Sequence, residues 1–167
     1  MIVIRPETPA DFAAIREINI AAFLHHPFSQ QTEHLIVEAL RAAGALEISL
    51  VADVDGEVVG HIAFSRASVG EASEGLYLLG PVAVLPERQG RGVGRELIEA
   101  GLGELRSRGA SGCVLVGDPD FYRRFGFSSY PGLTCHGVPD EYVLFLPLAS
   151  VAPTGEVVHH PAFSVTA

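Results

Sequence analysis

The run Gln89-Gly90-Arg91-Gly92-Val93-Gly94 is the most chemically informative stretch of this 167-residue chain, because three glycines in five residues clear side chains from a turn that opens a helix. Without Cβ atoms the backbone can face its N–H groups inward, and a helix start leaves its first four N–H donors without intrahelical acceptors. Converging donors of this kind bind an anion, phosphate above all. Positive charge gathers nearby: all eleven basic residues are arginine, and seven of them lie within residues 88–124 against five acids. The remainder is strongly acidic and brings the net charge to −9, which repels polyanions, so nucleic acid is not an expected partner.

Other reactive residue types are less organised. Cys135-His136 places a thiol beside an imidazole, but adjacent side chains diverge and a nucleophile needs its base within hydrogen-bond reach. Cys113 lies in an apolar run, and two cysteines without metal-ligand spacing read as free thiols of a reducing compartment. The pairs His25-His26 and His159-His160 lack further ligands at fixed spacing, so no metal is expected.

The elements that must position the turn follow from pattern. Residues 1–5 read as a strand, and Thr8-Pro9-Ala10-Asp11 supplies an N-cap, a first-turn proline and an acid for a helix to about residue 23. After a break at 24–29, residues 31–43 return to helical spacing, with Leu35, Ile36, Ala39 and Leu40 on one face until Gly44. Residues 48–54 and 57–65 are β-rich runs joined by Asp55-Gly56, a hairpin signal. A third strand over 76–84 contains Gly80-Pro81, and because proline cannot donate to a ladder the strand is expected to bulge or splay there.

The helix after the turn carries Val93, Leu97, Ile98, Leu102 and Leu105 as one stripe and stops near Gly109; a short strand follows at 113–116. Strand, helix, strand in this order predicts a parallel pair with a right-handed crossover, whose crevice at the carboxyl ends takes ligands. Asp118-Pro119 opens a short helix that Gly126 closes; a last strand is expected at 142–146 and a weak one at 156–159. No apolar run approaches the roughly 20 residues of a membrane span, and residues 1–5 lack the layout of a signal peptide, so a soluble, cytoplasmic protein is expected, with no membrane partner.

Three ligand classes use a glycine turn at a helix start. A triphosphatase loop needs Lys and then Ser or Thr after its last glycine, whereas Gly94 is followed by Arg95-Glu96. A dinucleotide fingerprint needs GxGxxG in a βαβ unit, whereas this turn reads GxGxG after antiparallel strands. Coenzyme A remains. At this point the chain resembles the GNAT superfamily of N-acetyltransferases: Gln89, Gly92 and Gly94 match its Arg/Gln-x-x-Gly-x-Gly/Ala pattern, and Phe121-Tyr122-Arg123-Arg124-Phe125-Gly126-Phe127 resembles its tyrosine helix ending in Gly-Phe.

The resemblance covers most of the chain. It implies a single α+β (α/β) domain over 1–167, its core about 1–148 and the tail 149–167 packed on it. The expected architecture is a mixed central sheet of six to seven strands flanked by about four helices and splayed where the cofactor binds. It further implies that backbone N–H groups of Gln89, Gly90, Arg91, Gly92, Val93, Gly94 and Arg95 hold the coenzyme A pyrophosphate, with charge added by Arg88, Arg91 and Arg95. Val82, Ala83 and Val84 would pair with the pantetheine arm, and Tyr122 would give a proton or hydrogen bond to the departing sulfur.

The expected activity is transfer of an acetyl group from acetyl-CoA, without a metal, to a primary amine of a small molecule or peptide by direct attack in a ternary complex. An acidic surface suits such a cation, and a homodimer is an open assembly. The alternative is a non-catalytic acyl-CoA-binding sensor or regulatory module. His25, His26, Glu33, His34, Glu74, His136 and Glu141 fall in segments that could border the amine, and none declares itself the base. One departure stands out: many family members carry Asn several residues before the tyrosine, where this chain has Gly117-Asp118-Pro119. Asp118 then either caps the short helix or takes a proton through water.

Overall fold

The structure, a computed structural model, describes residues 1–166. Its elements run β1 (Ile2–Pro6), α1 (Phe12–Phe23), α2 (Glu33–Ala42), β2 (Ile48–Val54), β3 (Glu57–Arg66), β4 (Ser68–Val69), β5 (Leu76–Val84), α3 (Val93–Ser107), β6 (Gly112–Val116), α4 (Pro119–Tyr122), β7 (Leu133–Thr134), β8 (Val143–Pro147) and β9 (Gly155–Val158). Six strands form a sheet in the order β1-β2-β3-β5-β6-β8, and β4-β9-β7 form a second, small one. Pairing is parallel between β5 and β6 and antiparallel for β1 with β2, β2 with β3 and β6 with β8, so the fold is mixed α/β. The chain divides into two compact units.

The first unit comprises residues 1–64, 80–103 and those from Pro161 onward. Its β1-β2-β3 meander turns at Asp55 (φ 52°) and Gly56 (φ 91°), two left-handed residues in succession, which match the right-handed twist of the flanking strands. Arg5 on β1 grips the Asp11 carboxylate through both terminal nitrogens (2.8 and 3.1 Å) and reaches Asp53 at 3.3 Å. The same carboxylate accepts from the Thr8 backbone N–H at 2.7 Å and holds the start of α1. Ile15, Val37 and Val51 form one buried cluster. Ile36, Leu40 and Ala162 form another, which seats the C-terminal turn Pro161–Ser164 against α2.

Strand β3 and helix α3 meet closely in this unit because glycines stand at the contact. A Cβ at Gly60 would lie 2.9 Å from Leu97 Cδ1, and one at Gly101 would collide with the Phe64 ring.

The second unit comprises residues 65–79 and 104–160. Strand β5 pairs with β6 from Leu76 to Leu78, and β6 pairs with β8 over five residues. Gly109 (φ 69°) ends α3: its N–H donates to Arg106 and that of Ala110 to Leu105, the paired bonds of a left-handed helix cap. The weak strand expected in the tail is β9, and it is the centre of the small sheet, flanked by β4 and β7. Cys113 is buried, Cys135 half-buried, and both thiols are free. Among the described residues no helix is long and apolar enough to cross a membrane.

Candidate active site

Strand β5 runs without interruption through Gly80-Pro81, whose peptide bond is cis, to Val84. At its end Val82 and Val84 are half-buried on one face while Ala83 is buried on the other, the period of two that a strand imposes. A single turn over Pro86–Arg88 follows, and Gln89 returns to extended backbone at ψ 157°. Gly90 (φ 75°) and Gly92 (φ 85°) are both left-handed, conformations that cost other residues about 1–2 kcal/mol.

No heavy atom beyond the chain neighbours lies within 4 Å of a Cβ built on either glycine, so the turn faces open space. The N–H of Glu96 donates to Gly92 at 3.0 Å, the first bond of α3. The N–H groups of Val93, Gly94 and Arg95 therefore have no carbonyl one turn behind them to accept. This is a cradle of backbone donors at the positive end of a fifteen-residue helix, and its chemistry fits a phosphate.

The side chains around the turn divide differently from the sequence expectation. Arg88 is engaged with Glu57 at 2.7 Å and Arg95 with Glu99 at 3.1 Å, so two of the three arginines already have carboxylate partners. Arg91 is exposed and has no ion pair among the described residues. Gln89, expected as a backbone contributor, instead donates its N–H to the Pro86 carbonyl at 3.3 Å and works through its side chain, whose Nε2 donates to the Val84 carbonyl at 3.1 Å.

Tyr122 stands in the second unit, at the end of α4. Asp118 caps that helix, its carboxylate accepting from the Asp120 N–H at 2.9 Å, which answers the question of its role in favour of capping. The Tyr122 ring packs edge-on to Phe121 (centroids 4.9 Å) and to the buried Phe127 (6.0 Å), with Phe125 at 6.4 Å. Burial, reinforced by nearby Cys113, pushes its phenol up to about 12, so Tyr122 holds its proton across the physiological range.

Two of the residues that could border the amine have structural employment. His26 accepts from the Phe28 N–H at 3.3 Å and lies between the Phe23 and Phe28 rings. Glu33 accepts from the Ser29 hydroxyl at 2.8 Å and steadies the loop before α2. Burial and the neighbouring Glu156 raise the Cys135 thiol, the wrong direction for a nucleophile. Among the described residues no group of three or more His, Cys, Asp and Glu is placed to hold a metal.

A partly buried polar chain in the first unit gives no sequence signal. Arg41 grips Glu7 (2.8 and 3.0 Å), Glu7 accepts from the Ser49 hydroxyl, Ser49 Oγ lies 2.8 Å from His61 Nε2, and Asn19 Nδ2 lies 3.5 Å from His61 Nδ1. Because the serine proton goes to Glu7, Nε2 carries the imidazole proton and Nδ1 accepts. His61 is thus no base for Ser49, and this is not a hydrolytic dyad.

The chain has relatives among known acetyltransferases. An acetyltransferase (GNAT) domain model matches residues 45–129, from before β2 to beyond Phe127. A GNAT family acetyltransferase from Brucella melitensis, solved in complex with acetyl-CoA, has 49% sequence identity and a TM-score of 0.87 over 98% of both chains. The GNAT family N-acetyltransferase YhbS from Escherichia coli, solved with CoA, has a TM-score of 0.84 at 32% identity over 99% of this chain and 93% of its own. In sequence, the uncharacterized N-acetyltransferase YhbS of Escherichia coli strain K12 is 38% identical over 128 residues, covering 75% of this chain and 72% of the relative. The chain belongs to the GNAT family of acetyltransferases.

Proposed function

We propose that the protein transfers the acetyl group of acetyl-CoA to the primary amine of a small molecule or peptide, both substrates being bound together. The observation that carries this reading is the donor cradle: left-handed Gly90 and Gly92, open space in front of them, and three N–H groups without intrahelical acceptors at the start of α3. The N–H groups from Gly90 to Arg95 hold the pyrophosphate, Arg91 supplies the unpaired positive charge, and the main chain of Val82, Ala83 and Val84 pairs with the pantetheine arm. Free thiols at Cys113 and Cys135 support a reducing, cytoplasmic setting.

In the reaction the amine nitrogen attacks the thioester carbon, the C–N bond forms, and the C–S bond breaks as the tetrahedral intermediate collapses. A phenol near 12 gives up its proton less readily than a thiol, whose ordinary value is about 8.5. Tyr122 therefore acts as a hydrogen-bond donor that stabilises the developing thiolate, while the surplus amine proton passes through solvent and returns to the sulfur.

Thermal melting with acetyl-CoA and thiol release against a panel of amines test the proposal. Stabilisation by acetyl-CoA and turnover with at least one amine are expected, with kcat lowered about a hundredfold in Tyr122→Phe. Stabilisation without turnover would identify an acyl-CoA sensor instead, and no stabilisation would overturn both readings.

A further inference from the structure

Most glycines at turns in this chain have left-handed backbone, but Gly117, between β6 and α4, does not, so its φ would accept any side chain. What excludes one is Tyr122. A Cβ built on Gly117 would lie 2.7 Å from Tyr122 Cε2, 3.1 Å from Tyr122 Cδ2 and 3.1 Å from Leu115 Cδ1. Phe121 and the buried Phe127 pack against the ring on its other sides, with Phe125 nearby, so in the native chain it is held against this bare Cα. Leu115 is buried as well and offers no compensating space.

We infer that Gly117 is a positioning residue for Tyr122: its bare Cα provides the space that the edge of the phenol ring occupies, and so it sets where the hydroxyl stands. This rests on the reading of Tyr122 given above. The segment is anchored on both sides of the glycine, by its own N–H donating to Tyr142 at 3.0 Å and by the Asp118 cap that starts α4. A methyl group at position 117 would therefore move the ring rather than the chain. Restoring ordinary contact at about 3.5–4.0 Å shifts the ring edge by about 1 Å, a displacement that costs on the order of a hundredfold in rate at a reacting centre.

The test is a double-mutant cycle on Gly117→Ala and Tyr122→Phe, with kcat, the KM for acetyl-CoA and thermal melting measured for each. Gly117→Ala is expected to lower kcat by about ten- to a hundredfold and to leave the KM within about twofold. Added to Tyr122→Phe it should lower kcat no further, because the hydroxyl it misplaces is already gone. Losses that multiply across the cycle, or a Gly117→Ala enzyme with unchanged kcat beside an impaired Tyr122→Phe, would overturn the assignment alone. An unimpaired Tyr122→Phe would overturn the reading of Tyr122 and this assignment with it. If Gly117→Ala does not fold, Gly117→Ala/Tyr122→Leu should recover a cooperative melt, since a smaller flexible side chain vacates the space; failure to recover it would refute the contact with the ring.

Discussion

The side chain of Gln89 reaches back to the strand that precedes it, its Nε2 donating to the Val84 carbonyl at 3.1 Å. One bond thereby fastens the glycine turn to the end of β5, which couples the donor cradle to the strand proposed to pair with the pantetheine arm.

Removing that bond should loosen the cradle without disturbing the chemistry. A hydrogen bond of this kind is worth about 0.5–1.5 kcal/mol, so Gln89→Leu is expected to weaken acetyl-CoA binding by about three- to tenfold in calorimetry. With saturating acetyl-CoA the kcat should be unchanged. An unchanged dissociation constant would show that the fastening has no part in binding.

The glycines of the turn should separate into two classes. Gly94 has ordinary φ, and its Cβ would meet Val84 Cγ2 at 3.7 Å, a normal contact, so Gly94→Ala gains helix propensity. Its melting temperature should rise by about 2–4 °C, with acetyl-CoA binding kept within about twofold. Gly92 is left-handed at φ 85°, so Gly92→Ala should instead melt lower and bind acetyl-CoA at least tenfold more weakly as the strained turn re-aims its donors. Equal affinities in the two variants would refute the backbone cradle.

Much of this arrangement is legible in the sequence because it is local. Asp55-Gly56 specifies a two-residue turn, the stripe from Val93 to Leu105 specifies α3, and the spacing of Gly90, Gly92 and Gly94 marks the open turn at its start. What escaped the sequence depends on contacts between distant segments. The pairing of Arg88 with Glu57 spans 31 positions, and the small sheet rests on β4 and β7, each two residues long and too short to show a period. The room that Gly117 makes for Tyr122 depends on a rotamer, and the chain from Arg41 to Asn19 is assembled from five separate segments.

Helix α3 offers a stability test independent of the site. By propensity alone Gly101→Ala would stabilise an exposed helix by about 1 kcal/mol. Here the new methyl group collides with the Phe64 ring, which is fully buried and has nowhere to go. Overpacking of this kind costs about 1–3 kcal/mol, so the sign reverses and the melting temperature should fall by several degrees. Gly103 lies on the same helix with nothing within 4 Å of its Cβ position, so Gly103→Ala should raise it.

His61 sets the response to acid. It is fully buried, and burial holds it neutral, its value lowered from 6.5 to about 4 against the opposing pull of Glu7, with Arg41 adding to the lowering. The hydrogen bonds agree, since Nδ1 faces the Asn19 amide donor, which is pinned to the Ile15 carbonyl at 3.0 Å. A second ring proton would meet that donor head-on.

Between pH 6.5 and 4 the unfolded chain therefore takes up a proton that the native His61 refuses, and stability falls as pH falls through this window, by at most about 1.4 kcal/mol per pH unit. Two carboxylates act at lower pH. Hydrogen bonds and charge from Arg5 hold Asp11 near 2, and Glu7 is lowered because its bonds from Arg41 and Ser49 outweigh the effect of its burial. Their depressed values add stability above the unfolded carboxylate range that is lost only below about pH 4.5. Urea unfolding between pH 6.5 and 5 thus isolates the histidine. His61→Gln should flatten the dependence there while retaining the steep loss at lower pH, and an unchanged slope would place the acid response elsewhere.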